Sequence, residues 1–296
     1  MPPVDQAPEG GSTVRTIRLE RGELVRVGAR PALLEYLRQL WDYRSFIVFD
    51  SQSRVSGDNN QNTLGRLWLV LNPILNGATY YFVFGLLLGT GRGIDNFIAY
   101  LIIGVFMFRF TSSAITSGAR SITNNRAVVR AFQFPRATLP LAVNVRELLI
   151  QIPAFVTMFV LILVIPPFEP ITWKWLLFIP LVALQVLFNV GLSLLLARWV
   201  TKYNDIVNLI SFGTRIWLYL SAVFFSLDRF EDNPAIMAIM ELNPMFCVLD
   251  IARDCLLYDS WPDPQRWIVL GAWTVVLLVV GMLVFWRAEE TYGVES

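Results

Sequence analysis

Long apolar runs alternate with short polar segments along the chain from residue 67 onward. Each run is close to the roughly 20 residues that an α-helix requires to cross a bilayer core. The pattern therefore predicts an all-α integral membrane protein with six transmembrane helices. We expect these spans at Leu67–Leu88, Phe97–Ser117, Leu141–Ile165, Trp175–Ala197, Ile206–Phe225 and Trp267–Trp286.

An amphipathic stretch precedes the first span. Pro31 suits the first turn of a helix, and the leucines that follow recur at helical spacing opposite a charged and polar face. With Trp41 near its end, this stretch predicts an amino-terminal amphipathic helix that lies in the membrane interface. Ser51–Asn62 is expected to form a polar loop, so that helix and loop together occupy residues 29–62. A small soluble helix packed on a neighbouring hairpin is the alternative.

The first 28 residues are polar and lack the apolar core of a signal peptide. Within them, Thr13–Val27 alternates apolar and polar residues on both sides of a Glu-Arg-Gly sequence, which predicts a small β-hairpin. We assign residues 1–28 to a cytoplasmic tail and residues 63–296 to the six-span domain.

The polar segment 119–140 lies between the second and third predicted spans. It carries four arginines and no acidic residue, and a short basic loop next to membrane spans is typically cytoplasmic. Its apolar residues, among them Val129 and Phe134, have a spacing of their own. This spacing favours a short helix that docks on a partner, and a charged topology anchor without a partner is the alternative.

The segment 226–266, between the fifth and sixth predicted spans, is longer than a simple loop and partly apolar. Asn243-Pro244 divides it, because proline disfavours helix in the residue before it. We predict two short external re-entrant helices that dip into the outer leaflet. A folded external cap is the alternative interpretation.

Lysine and arginine concentrate in the segments that a six-span topology puts on the side of both termini. This asymmetry predicts a multi-pass protein of the cytoplasmic (inner) membrane with both termini in the cytoplasm.

Composition excludes several classes of function. The chain has 296 residues, of which 55% are apolar, and its net charge of +1 gives no bulk attraction to nucleic acid. It contains no histidine and no GxxxxGK[ST] loop, so we predict no catalytic residue, no metal site and no ATP site of its own. Cys247 and Cys255 would lie about 12 Å apart on a helix, which is too far for a disulfide.

Two sets of residues inside the spans are candidates for function. Arg109 interrupts an apolar run, and a charge at that depth normally faces a partner or a wet cavity. Aromatic residues are dense along the first two spans, where they either face lipid or stack on sugar rings. The channel-lining candidates are Tyr80, Tyr81, Phe84, Phe106, Arg109 and Phe110.

Three short motifs, in order and at characteristic spacing, carry a resemblance to a known family. They are Leu64-Gly65 with Trp68 and Pro73, Phe134-Pro135-Arg136 with Leu139-Pro140, and Leu242-Asn243-Pro244. Over roughly residues 30–290 the chain resembles the membrane subunit of polysaccharide-exporting ABC transporters, which include O-antigen, teichoic-acid and actinobacterial galactan exporters. The extended Ser51–Asn62 segment and the hairpin-like amino terminus depart from the family pattern.

The resemblance implies a dimer of permeases that encloses a channel, with two separate ATPase subunits that bind ATP and Mg. A coupling segment of this chain would contact the ATPase, Asn243 and Pro244 would form the outer gate, and the aromatic residues would line the sugar path. The implied coupling residues are Asn124, Asn125, Arg126, Arg130, Phe134 and Arg136.

The substrate implied by the resemblance is a glycan linked to undecaprenyl- or decaprenyl-pyrophosphate, which the protein would export through the membrane lipid. An exporter of the same architecture for a drug or small lipid is one alternative. A membrane-bound glycan-modifying enzyme is another, and it would require paired carboxylates in a pocket or a metal site.

Overall fold

The computed structural model describes residues 30–60, 67–87, 94, 96–227 and 233–292. Within these ranges the protein is helical and contains no strand. The hairpin predicted at Thr13–Val27 and the Leu64-Gly65 motif lie outside the described residues. The α-helices are α1 Leu33–Asp42, α2 Arg44–Asn60, α3 Leu67–Tyr80, α4 Phe97–Ala119, α5 Arg126–Ala131, α6 Thr138–Val164, α7 Phe178–Lys202, α8 Ile206–Leu220, α9 Pro234–Glu241, α10 Pro244–Leu256 and α11 Pro264–Arg287.

Four of the predicted spans are confirmed as helices that are long and apolar enough to cross a membrane. These helices are α4, α6, α11 and the continuous run Trp173–Lys202, in which a 3-10 turn leads into α7. Helix α7 packs against both α4 and α11, and α6 packs against α4 and contacts α7. This four-helix group forms the body of the molecule.

The other two predicted spans differ from regular long helices. Helix α3 continues into the π-helical stretch Tyr81–Leu87. Helix α8 ends at Leu220, before the predicted end at Phe225, so its 15 residues extend about 22 Å against a bilayer core of about 30 Å. With the bent pair α9–α10 counted as one, up to five helical segments in the described part of the chain are long and apolar enough to cross a membrane. The count of six spans stays a prediction.

Buried contacts explain why α8 ends early. Ala222 adopts a positive φ of 52°, which stops the helix. The Tyr100 hydroxyl lies 2.6 Å from the Phe225 carbonyl oxygen and 3.0 Å from that of Ala222, and Arg253 donates to the Ala222 carbonyl oxygen at 3.1 Å. Non-helical backbone is tolerated deep in a membrane protein only where such partners cover it.

The loop predicted from Ser51 is instead helical, since α2 extends to Asn60. Ser51 is fully buried, and its hydroxyl donates to the carbonyl oxygen of Ala142 on α6 at 2.8 Å. The polar composition of this stretch predicted a loop. The stretch is helical because it packs on α6, and the sequence alone does not reveal that packing surface.

The segment before the last helix breaks where proline predicted it, with 85° between α9 and α10. Asn243 stabilises the break: its side-chain oxygen caps α10 by accepting from the Met245 amide at 3.0 Å. Helix α10 is almost completely buried and contacts α4, α7 and α11. The two helical pieces are therefore present, whereas their depth relative to the membrane stays a prediction.

Both ends of the described chain meet at one end of the helix bundle. The Arg30 amide donates to Glu290 Oε1 at 3.0 Å, and α1 and α5 lie at this same end. We call it the basic end, and the end that carries α9 and α10 the opposite end. A compact apolar cluster holds the basic end together. This basic-end cluster contains Tyr36, Leu40, Ile122, Val129, Ala137, Leu139, Val190, Leu194, Ala197, Phe285, Ala288 and Tyr292.

Candidate functional site

A cavity of about 510 Å³ lies between α3, α4 and α8. Two guanidinium groups enter it, Arg109 from the middle of α4 and Arg215 from α8. The remaining lining combines seven hydroxyl- or amide-bearing residues with four aromatic or aliphatic ones. It consists of Asn76, Tyr80, Val105, Phe108, Ser112, Ser113, Thr116, Ser117, Ser211, Thr214 and Leu218.

Helical periodicity explains how α4 presents this polar face. The residues Leu101–Phe108 are all buried, whereas Arg109 is exposed. Ser112, Ser113 and Thr116 follow Arg109 at steps of three, four and seven, and so share its face. Helix α4 is therefore buried on most sides and polar on one.

The cavity is cationic. Neither Arg109 nor Arg215 forms an ion pair with a carboxylate among the residues that the structure describes. Glu147 on α6 contacts the cavity lining, since it accepts a hydrogen bond from the Ser113 hydroxyl at 2.6 Å.

A second cavity of about 200 Å³ adjoins the first and shares Thr116 and Ser117 with it. It lies at the basic end and is lined by three further arginines, Arg54, Arg120 and Arg146. Together the two cavities form a cleft that leads from the basic end to the middle of α4. We call this the arginine cleft.

Two of the three arginines at the mouth are held by neighbours. Arg54 pairs with Asp50 at 3.0 Å and donates to the side-chain oxygen of Asn125 at 3.0 Å. Arg146 approaches Glu147 at 3.5 Å. Since five arginines face two carboxylates here, the arginine cleft keeps a net positive charge and suits a phosphate-bearing ligand, to which guanidinium binds through two hydrogen bonds.

The predicted channel-lining residues do not lie on a single surface of the protomer. Tyr80 and Arg109 line the arginine cleft. Tyr81 and Phe106 line a separate apolar pocket of about 200 Å³ between α3, α4 and α6. The remaining two pack on other aromatic rings: Phe84 stacks on Phe224 at 4.1 Å between ring centroids, and Phe110 contacts Phe155 at 5.9 Å.

Sequence reasoning missed the contribution of α8 to the arginine cleft. Arg215 and Ser211 are four residues apart and both line the first cavity. Arg215 interrupts an apolar run as Arg109 does, and that signal was available in the sequence.

A short surface helix forms within segment 119–140, as its apolar spacing predicted. The 3-10 turn Thr123–Asn125 leads into α5, and buried Val129 fixes the helix to the basic-end cluster. We call residues 120–137 the α5 segment. Its outward surface carries Asn124, Arg126 and Arg130.

The other predicted coupling residues face inward to different degrees. Asn125 is half-buried and donates to the carbonyl oxygen of Ser121 at 2.7 Å. Phe134 packs on the basic-end cluster, and the guanidinium of Arg136 donates to the backbone carbonyl of Glu289. Phe132, directly after α5, was not among the predicted residues, yet 66% of its side chain is exposed.

The predicted outer-gate residues lie in a hydrogen-bonded contact at the opposite end. Asn243 accepts from the Trp217 indole at 2.8 Å and donates to the Leu220 carbonyl at 3.0 Å, and Pro244 begins α10. These hydrogen bonds therefore join the end of α8 to the bend between α9 and α10.

No cluster of three or more potential metal ligands occurs in the described ranges. Cys247 and Cys255 are free and buried, in agreement with their predicted spacing on a helix.

Comparison with known proteins identifies related sequences. The family model of the ABC-2 type transporter matches residues 59–257, which is more than half of the chain. The O-antigen export system permease protein RfbA of Myxococcus xanthus is 25% identical over 261 residues, covering 88% of this chain and 99% of the relative. A protein of the same name from Klebsiella pneumoniae is 27% identical over 234 residues, covering 78% of this chain and 86% of the relative.

Proposed function

The chain belongs to the ABC-2 type transporter family, and we propose that it is the permease subunit of an exporter for a lipid-linked polysaccharide. The observation that carries this proposal is the arginine cleft, which gives a cationic path from the basic end to the middle of a membrane-span helix. The relatives named O-antigen export permeases support it.

The basic end faces the cytoplasm in this proposal. Basic loops are retained on the cytoplasmic side of membranes, and both ends of the described chain lie at the basic end. A second copy of the chain completes a channel through the cytoplasmic membrane, and two ATPase subunits bind below it. ATP and Mg belong to those subunits.

The lipid carrier binds in the arginine cleft through its pyrophosphate group. A pyrophosphate linked to undecaprenyl or decaprenyl carries negative charge, and Arg109 and Arg215, which pair with no carboxylate in the described part of the chain, offer guanidinium donors to it. Tyr80 on α3 lines the same cavity and provides aromatic surface for the first sugar ring.

ATP drives the transport cycle through the α5 segment. Its exposed residues Arg126, Arg130 and Phe132 form a small basic and aromatic surface that fits a cleft in the ATPase. ATP moves the permease only if it binds one state of the assembly better than the other, and closure of the ATPase pair supplies that difference.

The experiment that tests the carrier site combines Arg109→Gln and Arg215→Gln. Losing two charge-assisted contacts should slow export of the lipid-linked glycan by about tenfold or more, measured in membrane vesicles at equal permease content. Arg38→Gln, an exposed substitution on α1, is the matched control. Export of glycan at the wild-type rate by the double variant would contradict the carrier site, and loss of a small lipid's transport instead would favour an exporter of that class.

A further inference from the structure

The carboxylate of Glu289 lies buried where three separate parts of the chain meet. Glu289 follows the end of α11, and only 8% of the residue is exposed. Tyr36, which lies on α1, donates its hydroxyl hydrogen to Glu289 Oε2 at 2.8 Å. The Arg136 amide, in the α5 segment, donates to Glu289 Oε1 at 2.9 Å. Each oxygen of this carboxylate therefore accepts a hydrogen bond from a different element.

The same residues are joined by further bonds. The Tyr36 hydroxyl accepts from the Ala137 amide at 3.1 Å, so it bridges the α5 segment and Glu289. The guanidinium of Arg136 donates to the backbone carbonyl of Glu289. We call the set Tyr36, Arg136, Ala137 and Glu289 the junction.

Neighbouring contacts fix both sides of the junction. The Trp286 indole donates to the Pro31 carbonyl at 3.0 Å, which ties the end of α11 to the start of α1. Arg198 on α7 donates to the Thr291 hydroxyl at 3.0 Å. The described residues after α11, 288–292, are thus held between α1 and α7.

The junction is unusual because a carboxylate is retained inside an apolar cluster. Burial raises the pKa of Glu289 above the ordinary value of a glutamate, and burial also raises the pKa of Tyr36. Burying these groups is costly unless their hydrogen bonds are satisfied. A displacement of Arg136 and Ala137 alone would break several of these bonds, so the α5 segment and the end of α11 are expected to move together.

We propose that Glu289, held by Tyr36, is the positioning residue that transmits movement of the α5 segment to the last membrane helix. The inference rests on the proposed function only in that the α5 segment is taken to contact the ATPase. It assigns to the carboxyl end of the chain a role in energy coupling, in addition to the direct connections of the α5 segment to α4 and α6 and to the apolar contacts of Val129 in the basic-end cluster.

The test uses Glu289→Gln and Tyr36→Phe, singly and together, in the permease assembled with its ATPase. Glutamine keeps the shape of glutamate, but its NH₂ group would face either the Tyr36 hydroxyl or the Arg136 amide. Both of these groups donate to Glu289, so one of the two hydrogen bonds would be lost. The permease is expected to stimulate ATP hydrolysis by its ATPase, and each single change should lower this stimulation per assembled complex by about fivefold. Because both changes break one unit, the double variant should be no worse than the more severe single variant.

Glu35→Gln, an exposed change beside Tyr36, is the matched control and should leave stimulation unchanged. Stimulation per complex at the wild-type level in Glu289→Gln would overturn the proposal. Loss of assembled complex with normal stimulation of the remainder would reduce the junction to a folding role and also overturn it, as would effects that multiply in the double variant. The assay needs no glycan, so an error in the polysaccharide assignment is detected separately.

Discussion

Gly191 on α7 and Gly281 on α11 allow these two helices to touch at their backbones. A Cβ atom added at Gly191 would lie 2.6 Å from the backbone nitrogen of Leu278, and one added at Gly281 would overlap the carbonyl oxygen of Gly191. Small residues at helix contacts permit such close approach in membrane proteins, where packing rather than water drives association. This contact holds the last helix to the centre of the bundle.

Gly281→Ala should therefore destabilise the protein by about 1–3 kcal/mol, because the added methyl group forces the helices apart. Gly271→Ala on the same helix is the control, since nothing lies within 4 Å of its added Cβ. Removing a helical glycine there should be neutral or gain about 0.5–1 kcal/mol. Thermal unfolding of the purified protein in detergent measures both, and equal losses in the two variants would contradict the close-contact account.

Single residues were partly predictable from the sequence. Arg109 was identified because a charge inside an apolar run is costly without a partner or wet cavity. The position of Arg109 and Arg215 in the same cavity was not predictable, because it depends on how α4 and α8 pack. The same limit applies to the aromatic residues: Phe110 lies in the core against Phe155, and the sequence of α4 alone does not show which neighbouring helix covers each aromatic ring.

Helix α5 shows how a short element can present a surface. One side is fixed by Val129 in the basic-end cluster, and the chain leaves the helix at Phe132 in an extended conformation. Aromatic residues and arginines are enriched at the core of protein–protein interfaces, so Phe132 beside Arg130 suits a cleft in a partner. The element is anchored on one side and available on the other.

Phe132→Ala should weaken the stimulation of the ATPase by about thirtyfold, because large aromatic side chains at the centre of an interface contribute about 2 kcal/mol or more. Phe168→Ala is the matched control, since Phe168 is equally exposed, at 69%, but lies in the connection between α6 and α7 at the opposite end. ATP hydrolysis of the purified assembly at equal protein content gives the comparison. A similar loss in both variants would show that general destabilisation, not docking, explains the result.

Among whole elements, the long apolar helices and the break at Asn243-Pro244 were predictable, because length, hydropathy and proline act locally. The extension of α2 through Ser51 and the early end of α8 at Leu220 were not. Both depend on distant partners: Ala142 receives the Ser51 hydroxyl, and Tyr100 with Arg253 satisfies the carbonyl groups beyond α8. Local patterns do not contain such tertiary contacts.

Across the whole molecule, positive charge marks one end and one path. The α5 segment and the mouth of the arginine cleft lie at the basic end, and Arg109 and Arg215 extend the charge toward the middle of the bundle. The opposite end is different: Arg253 is buried to 1% exposure by backbone carbonyls and by the Tyr100 ring, whose centroid is 3.3 Å away. The buried Arg253 stabilises the fold at that end, whereas Arg109 and Arg215 line a cavity that a ligand can enter.

The most direct test of the account is to deplete the protein in its native cell and locate the lipid-linked glycan across the cytoplasmic membrane. Export of a completed polymer predicts that long, pyrophosphate-linked glycan accumulates on the inner leaflet, and that wild-type protein but not the Arg109→Gln, Arg215→Gln double variant restores its passage. Glycan that still reaches the outer surface at normal length and amount in the depleted cells would contradict the account.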